Sequence, residues 1–412
     1  MALLQVPPVK TWAKFYSLRA RTWAHQLINP PGKSVFVPAQ GDTVATLVEA
    51  TMQVHESPIP LLIATEAPEE VITVIASETP APTPLPSPTP LPIPAESLLP
   101  GIEIQYQTFN NCGPANLSML LNYWGMQTSQ EATGAVLRPG IEDRNVMLSE
   151  MLDYTLQHTH LKGALRYGTD LNVLKRLVGA GFPVLLERGY VDPKQGWMGH
   201  YSIIEGYSDA YGVVRIPDTL LGNMQLDYAG LEADWLHFAN IFLVLYPPER
   251  EAEVMSLLGA DADPVQNLAN ALESISTQTE QLSGVQAFFA WYSRGTILTE
   301  MQDYPSAAQA YDQAFNIYLT LEIRERPWRL TWYQIGPYIA YFHTARYQDT
   351  LNLVQKTLLD TTEDSLPETW LWGARAANAL GQKELAVEYY QQALYWYPGW
   401  EIAQQELLTI EH

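Results

Sequence analysis

With 412 residues, the chain exceeds the length of about 250 residues at which a single hydrophobic core stops growing, so we expect two or three domains. Its net charge of −22 argues against nucleic acid as a partner, because phosphate binding depends on clustered lysine and arginine. A single cysteine excludes an internal disulfide and a cysteine-based zinc site, and we predict no metal and no cofactor.

The N-terminal region, residues 1–76, shows no sustained hydrophobic periodicity, and we expect it to be weakly structured. A linker at residues 77–98 follows, with "TPAPTPLPSPTPLPIP" at its centre, where nearly every second residue is proline. Such a run favours extended polyproline II over a helix or a central strand, which predicts a disordered, Pro-rich N-terminal part. The alternative is a proline-rich ligand for a partner domain.

The Pro/Thr-rich stalk favours an extracytoplasmic or cell-surface location. No apolar run reaches the roughly 20 residues that a membrane helix needs, so we predict no membrane span. The N-terminus is basic but has no apolar signal-peptide core, so the sequence leaves the compartment open.

Residues 99–248 carry the signals of a mixed α+β domain. Helices are predicted at "CGPANLSMLLNYWG", "LSEMLDYTLQH" and "TDLNVLKRLVGAG", the last capped by Thr169 or Asp170. Strands are predicted at "FPVLLERGY", at "ANIFLVLYPP" and on both sides of a turn in "GHYSIIEGYSDAYGVVRIPD". The glycines of "GAG" end a helix and do not form a dinucleotide-binding loop.

Beyond this domain the sequence predicts helices throughout, as a connector at residues 249–284 and a repeated pattern at 285–412. One set of residues recurs with identical spacing, as Trp291, Ala307, Tyr311 and Ala314 and again as Trp370, Ala386, Tyr390 and Ala393. This pattern resembles the tetratricopeptide repeat, which implies a solenoid that binds a protein partner. We expect three repeats and a capping helix near residues 400–408.

The middle copy departs from this pattern, because it has Thr350 and Val354 where the others have alanine and tyrosine. We expect its helices to be longer than those of the other copies. The connector lacks the proline spacing of the stalk, so we expect the repeats to dock on the α+β domain.

The single cysteine, Cys112, opens a predicted helix. A lone cysteine is usually a small buried hydrophobic residue. At a helix start, however, unpaired N–H groups and the helix dipole favour the thiolate and lower the thiol pKa. Its neighbours Asn110, Asn111 and Gly113 are polar or unhindered, and Gln107 lies five residues upstream, close enough to reach back beside the sulfur.

A thiolate nucleophile also needs a base, and that base needs an orienting group. Among the eight histidines, His200 alone follows a glycine and opens an alternating strand. A turn centred near Asp209–Tyr211 places His200 opposite Asp218 or a residue very near it if the two strands pair in antiparallel fashion. Taken singly, His200 fits an ordinary strand end and Asp218 an ordinary turn; together with Cys112 they indicate nucleophilic catalysis.

Residues 103–248 resemble the papain-like double-glycine (bacteriocin-leader) peptidase family, specifically its stand-alone C39-like branch. The matching motifs are "QTFNNCGPA", "GHYSIIEGY" and "IPDTLLGN". The resemblance implies Cys112 as nucleophile, His200 as general base and acid, and Asp218 as the orienting group. It also implies that Gln107 donates a hydrogen bond to the oxyanion together with the Cys112 backbone N–H. Exporter-linked members place this glutamine six residues before the cysteine, so cleavage after a double glycine is not carried over.

The sequence therefore predicts an α+β papain-like cysteine peptidase domain followed by an all-α tetratricopeptide-like solenoid. Its function is predicted to be that of a thiol-dependent hydrolase, which acts on a peptide or protein substrate through an acyl-enzyme. Acyl transfer to an amine uses the same residues and stays open. The alternative is a non-catalytic interaction or scaffold protein, whose papain-like domain binds peptide without cutting it.

Overall fold

The computed structural model describes residues 32–33, 35–39, 93–140, 145–192, 196–361 and 365–411. Most of the predicted N-terminal region and Pro-rich linker lies outside these residues. Within the linker, Glu96–Leu98 form the first strand, β1. Within the N-terminal region, residues 35–39 are described, and Phe36 is buried against the C-terminal helices.

Two four-stranded antiparallel sheets build the first folded part. One has the order β2-β8-β3-β4, with β2 at Lys162–Arg166, β3 at Val184–Asp192, β4 at Gly196–Ile204 and β8 at Phe242–Tyr246. The other has the order β1-β5-β6-β7, with β5 at Gly206–Ser208, β6 at Val213–Asp218 and β7 at Gly222–Asp227. Because Glu205 alone separates β4 from β5, one stretch of chain passes directly from the first sheet to the second.

Helices pack on both faces of the first sheet. They are α1 (Cys112–Tyr123), α2 (Gln130–Leu137), α3 (Leu148–His158), α4 (Leu171–Gly179) and α5 (Tyr228–Trp235). Side chains alternate across a strand, so Leu185 of β3 packs with α1 and α3, while Val184 and Leu186 pack with α4 and α5. The two layers bury the sheet between them.

The predicted elements of this part are found, and the expected α+β class is confirmed. The Asp170 side chain caps α4, since its carboxylate accepts a hydrogen bond of 3.1 Å from the Val173 N–H. Gly181 follows this helix with a φ of +93°, as a helix stop requires. The sequence patterns did not predict α2, α5, β2 or β7.

The C-terminal part is helical, as expected. It contains α6 (Glu251–Leu258), α7 (Pro264–Gln281), α8 (Gly284–Glu300), α9 (Tyr304–Thr320), α10 (Leu330–Tyr333), α11 (Gly336–His343), α12 (Tyr347–Asp360), α13 (Pro367–Ala379), α14 (Lys383–Trp396) and α15 (Glu401–Glu411). Helices α8 and α9 approach closely, because a Cβ on Gly295 would lie 2.6 Å from the Tyr311 ring. Gly373 allows the same close approach between α13 and α14, because a Cβ there would lie 2.7 Å from the Tyr389 ring.

The middle helix pair, α11 and α12, differs from the prediction. Its first helix has 8 residues, against 17 in α8 and 13 in α13, so the expectation of longer helices is wrong. Pro337 explains the break, because it has no N–H to donate to Tyr333 and therefore cannot continue α10. It lies instead in the first turn of a new helix, where the missing N–H costs nothing.

The repeats dock on the α+β domain, as expected from the connector. The Trp197 ring of β4 stacks on Phe289 of α8 with centroids 5.8 Å apart. Arg329 Nη1 donates a hydrogen bond of 3.0 Å to the Trp197 carbonyl, and Gln334 Nε2 donates one of 2.8 Å to the His237 carbonyl. Among the described residues, no helix is both long and apolar enough to cross a membrane.

Candidate active site

Cys112 stands at the start of a buried helix. It is partly exposed, whereas all nine residues from Gly113 to Leu121 are buried. A turn precedes it, in which the Asn111 N–H donates a hydrogen bond of 3.2 Å to the Thr108 carbonyl. Asn110 adopts the left-handed conformation with a φ of +54°, which asparagine tolerates better than most residues. The turn therefore presents the sulfur at the first position of α1.

A buried network holds this turn in place. Asn111 Nδ2 donates a hydrogen bond of 2.9 Å to Gln130 Oε1, and Asn111 Oδ1 accepts one of 3.1 Å from Arg138 Nη1. Arg138 also donates to the Asn110 carbonyl. Asn111 is thus a buried anchor and not part of an open surface around the thiol. Sequence reasoning missed Arg138, which lies 26 residues after Cys112 in a segment without a motif.

His200 and Asp218 meet as a buried pair. His200 Nε2 lies 3.0 Å from Asp218 Oδ2, and both side chains are at most 5% exposed. The other oxygen, Asp218 Oδ1, accepts hydrogen bonds of 2.8 and 2.9 Å from the N–H groups of Leu220 and Leu221. Because Asp218 engages Nε2, Nδ1 is the ring nitrogen left to interact with Cys112, whose thiol pKa is lowered by the hydrogen bond and charge of His200 against the opposing effect of burial.

The two residues come together by a different route from the one expected. Strand β5 pairs with β6 only from Gly206–Arg215 to Ser208–Val213, and His200 on β4 pairs with Arg188 on β3. The expected ladder in which His200 faces Asp218 is therefore wrong. The pair forms instead between the two sheets, since β6 continues past the end of β5 and its last residue reaches β4.

The charges of the three residues are coupled. Burial raises the pKa of the Cys112 thiol, but the hydrogen bond and charge of His200 and the charge of Arg138 outweigh it, so the pKa falls below its usual value. Burial lowers the pKa of His200, but the bonds to Asp218 and Cys112 raise it to about 9 overall. Burial raises the pKa of Asp218, while the bonds to His200 and two backbone N–H groups lower it to about 2. These shifts all act in the direction of a thiolate–imidazolium pair beside an ionised Asp218.

Gln107 is fixed beside the end of β6. Its backbone N–H donates a hydrogen bond of 2.9 Å to the Thr219 carbonyl, and its side-chain Oε1 accepts one of 2.7 Å from Thr219 Oγ1. With the amide oxygen engaged, the NH₂ group is the part of this side chain that remains to donate. Gln105, the other nearby glutamine, instead accepts bonds of 2.8 Å from Ser118 Oγ and 3.2 Å from the Gln130 N–H.

Sequence reasoning also missed two further residues near Cys112, one on α1 and one on β3. Asn116 Nδ2 donates hydrogen bonds of 2.9 Å to the Cys112 carbonyl and 3.3 Å to the Tyr201 carbonyl, one residue after His200. Glu187 is buried opposite Tyr201, and burial followed by the charge of Cys112 holds the pKa of Glu187 well above its usual range. Asn116 lies one turn after Cys112 on α1, which was the available sequence signal.

Comparisons with known proteins agree with both resemblances. Residues 100–241 match the Peptidase_C39 like family, and residues 367–399 match the tetratricopeptide repeat. Among solved structures, a Bacillus anthracis protein described as a C39-like peptidase is 13% identical, with a TM-score of 0.31; the match covers 37% of this chain and 97% of that one. Among curated proteins, none matches. Residues 100–241 are thus similar to the C39-like peptidase family, and part of the helical region is similar to a tetratricopeptide repeat.

Proposed function

We propose that the C39-like domain is a thiol-dependent peptidase in which Cys112, His200 and Asp218 form the catalytic triad. The family match supports a peptidase-type hydrolase. The observation that carries the assignment is the buried His200–Asp218 pair, with 3.0 Å between the imidazole and the carboxylate, together with the influence of His200 on the pKa of Cys112. The lowered pKa of Cys112 and the raised pKa of His200 suit the charge separation that such a mechanism uses.

In the first step, the Cys112 thiolate attacks the carbonyl carbon of the scissile bond. The negative charge that develops on the carbonyl oxygen is stabilised by the Gln107 NH₂ group and by the backbone N–H of Cys112, which has no partner within the first turn of the helix. The tetrahedral intermediate then collapses as the C–N bond breaks. His200 gives its proton to the leaving amine, and Asp218 holds the imidazole in place.

In the second step, a water molecule attacks the thioester carbonyl while neutral His200 accepts one of its protons. Collapse of the second tetrahedral intermediate breaks the C–S bond, releases the carboxylic acid and restores the Cys112 thiolate beside protonated His200. An amine in place of water would give acyl transfer with the same proton movements. The triad sets the chemistry, and the nucleophile that reaches the thioester decides the product.

The test is cleavage of a diverse peptide library by the full chain, with cut sites mapped by mass spectrometry in H₂¹⁸O. We expect cuts with ¹⁸O in the new carboxyl termini, and none with the Cys112→Ala variant. Products joined to added amines without ¹⁸O would indicate transfer. If neither product forms while peptides bind to the domain, the alternative of a non-catalytic interaction protein holds.

A further inference from the structure

One wall of a pocket in the helical part is formed by a side chain from the N-terminal region. Phe36 is only 6% exposed, and its ring packs edge-on to Phe315 of α9 with centroids 5.0 Å apart. The same ring lies 5.9 Å from that of Tyr341 on α11. The pocket lies between α9 and α12, and residues lining it include Phe288, Tyr292, Tyr318, Leu330 and Leu353. This packing makes Phe36 the anchor of the contact.

The segment around Phe36 has the exposure pattern of an extended peptide. Phe36 and Pro38 are buried, whereas Val37 and Ala39 are exposed, with 58% exposure for Val37. Alternate side chains therefore enter the surface, as in extended peptides bound by other proteins. Residues 40–92 lie between this segment and the start of the α+β domain. The segment that contacts the helices is therefore tethered to the rest of the chain.

Side chains of the repeats bind the main chain of this segment at both ends. Asp349 Oδ1 accepts a hydrogen bond of 3.2 Å from the Ala39 N–H, and Arg346 Nη2 donates one of 3.5 Å to the Ala39 carbonyl. At the other end, Arg326 donates to the Gly32 carbonyl. Contacts to backbone groups do not depend on side-chain identity, so Phe36 supplies the sequence preference.

The arginine at the first of these ends is preorganised. Arg346 Nη1 donates a hydrogen bond of 2.7 Å to Asp312 Oδ2, and Arg346 Nε donates one of 2.8 Å to Asp349 Oδ2. These bonds lie within the repeats and do not involve the N-terminal segment. The groups that contact the peptide backbone are therefore positioned by the helices themselves, as a binding site requires.

We propose that the aromatic surface around Phe36 is a recognition site for extended polypeptide segments with a phenylalanine anchor, and that residues 35–39 occupy it as a tethered ligand. A partner protein that offers such a segment would bind by displacing residues 35–39. Tethering raises the local concentration of the internal segment, so the segment excludes ligands of low affinity. Ligands of high affinity or at high concentration displace it. The proposal does not depend on chemistry at Cys112.

The experiment is a fluorescence anisotropy titration of a labelled peptide with the sequence of residues 31–40 against the full chain. We expect saturable binding to the Phe36→Ala variant and at least about tenfold weaker binding to the wild type, in which the tethered segment competes. A peptide with alanine at the position of Phe36 should not bind. Val37→Ala is the matched control, because its side chain is exposed, and it should behave as the wild type.

Absence of saturable binding to a folded Phe36→Ala variant would overturn the proposal, as would equal binding to variant and wild type. If Phe36→Ala loses its helical circular dichroism, Phe36→Leu takes its place and should admit the peptide several-fold better than the wild type. A wild-type dimer in sedimentation that Phe36→Ala abolishes would assign the segment to a second copy and contradict binding within one chain. The same titration in a Cys112→Ala background should be unchanged, which separates this result from the fate of the peptidase assignment.

Discussion

His200 Nε2 and Asp218 Oδ2 lie 3.0 Å apart although their strands belong to different sheets. The other carboxylate oxygen, Asp218 Oδ1, accepts hydrogen bonds from two backbone N–H groups. These bonds fix the position of the carboxylate, so it can orient the imidazole. Orientation of the imidazole therefore depends on the end of β6, and its position depends on β4. This division allows the roles of the two residues to be separated by mutation.

We expect His200→Ala to lower kcat/KM for peptide cleavage by at least about 10²-fold, because a general acid–base contributes roughly that much or more. Asp218→Asn should cost less in kcat/KM, because the imidazole remains but loses the charge that stabilises its protonated form. Steady-state kinetics on one peptide substrate, with circular dichroism to verify folding, measures both. Wild-type rates in His200→Ala would remove this residue from the mechanism.

The pH dependence follows from the directions of the pKa shifts. The pKa of Cys112 is lowered, so iodoacetamide should alkylate it well below the free-thiol pKa of about 8.5. Cleavage needs protonated His200, so activity should fall as the pH rises through about 9. In Asp218→Asn this alkaline limb should move to lower pH, because the carboxylate raises the pKa of His200. Alkylation that begins only near pH 8.5 would favour an ordinary buried cysteine.

Gln107 and Gln105 form a matched pair for testing the oxyanion site. Gln107→Ala should lower kcat by about 10²–10³-fold with little change in KM, as loss of one oxyanion donor does elsewhere. Gln105→Ala should leave kcat near the wild-type value, because its side chain accepts bonds from Ser118 and Gln130. The comparison requires kcat and KM for both variants. Equal losses in the two would assign Gln107 a structural role.

The docking of the repeats predicts a stability effect centred on Trp197. Its side chain is 4% exposed and packs against Phe289 and Tyr333, so Trp197→Ala should cost about 3–5 kcal/mol in unfolding free energy. Tyr211→Ala, whose side chain is 77% exposed, should change it by less than about 0.5 kcal/mol. Urea denaturation measures both. A small effect at Trp197 would mean that the two folded parts are energetically independent.

The sequence predicted those helix ends and strands that are determined by residues next to them in the chain. Asp170 at a cap, Gly181 at a stop and the alternating pattern around His200 each stand next to the element that they define. Residues that act through tertiary contacts gave no such signal. Arg138 and Thr219 act through tertiary contacts, with Asn111 and Gln107 respectively. The contact between His200 and Asp218 depends on the passage of the chain from one sheet into the other. Phe36 was missed for the same reason, since its ring partners Phe315 and Tyr341 lie in the C-terminal helices, far along the chain.

The proposed mechanism passes through an acyl-enzyme at Cys112, and because this is the single cysteine of the chain, the thioester can be measured directly. The full chain would be mixed with an activated peptide ester and quenched at early times, with intact mass and peptide mapping by mass spectrometry. The proposed mechanism predicts a hydroxylamine-sensitive thioester on Cys112 that is absent in Cys112→Ala and forms far more slowly in His200→Ala. Peptide cleavage by Cys112→Ala, or equal thioester formation with and without His200, would contradict it.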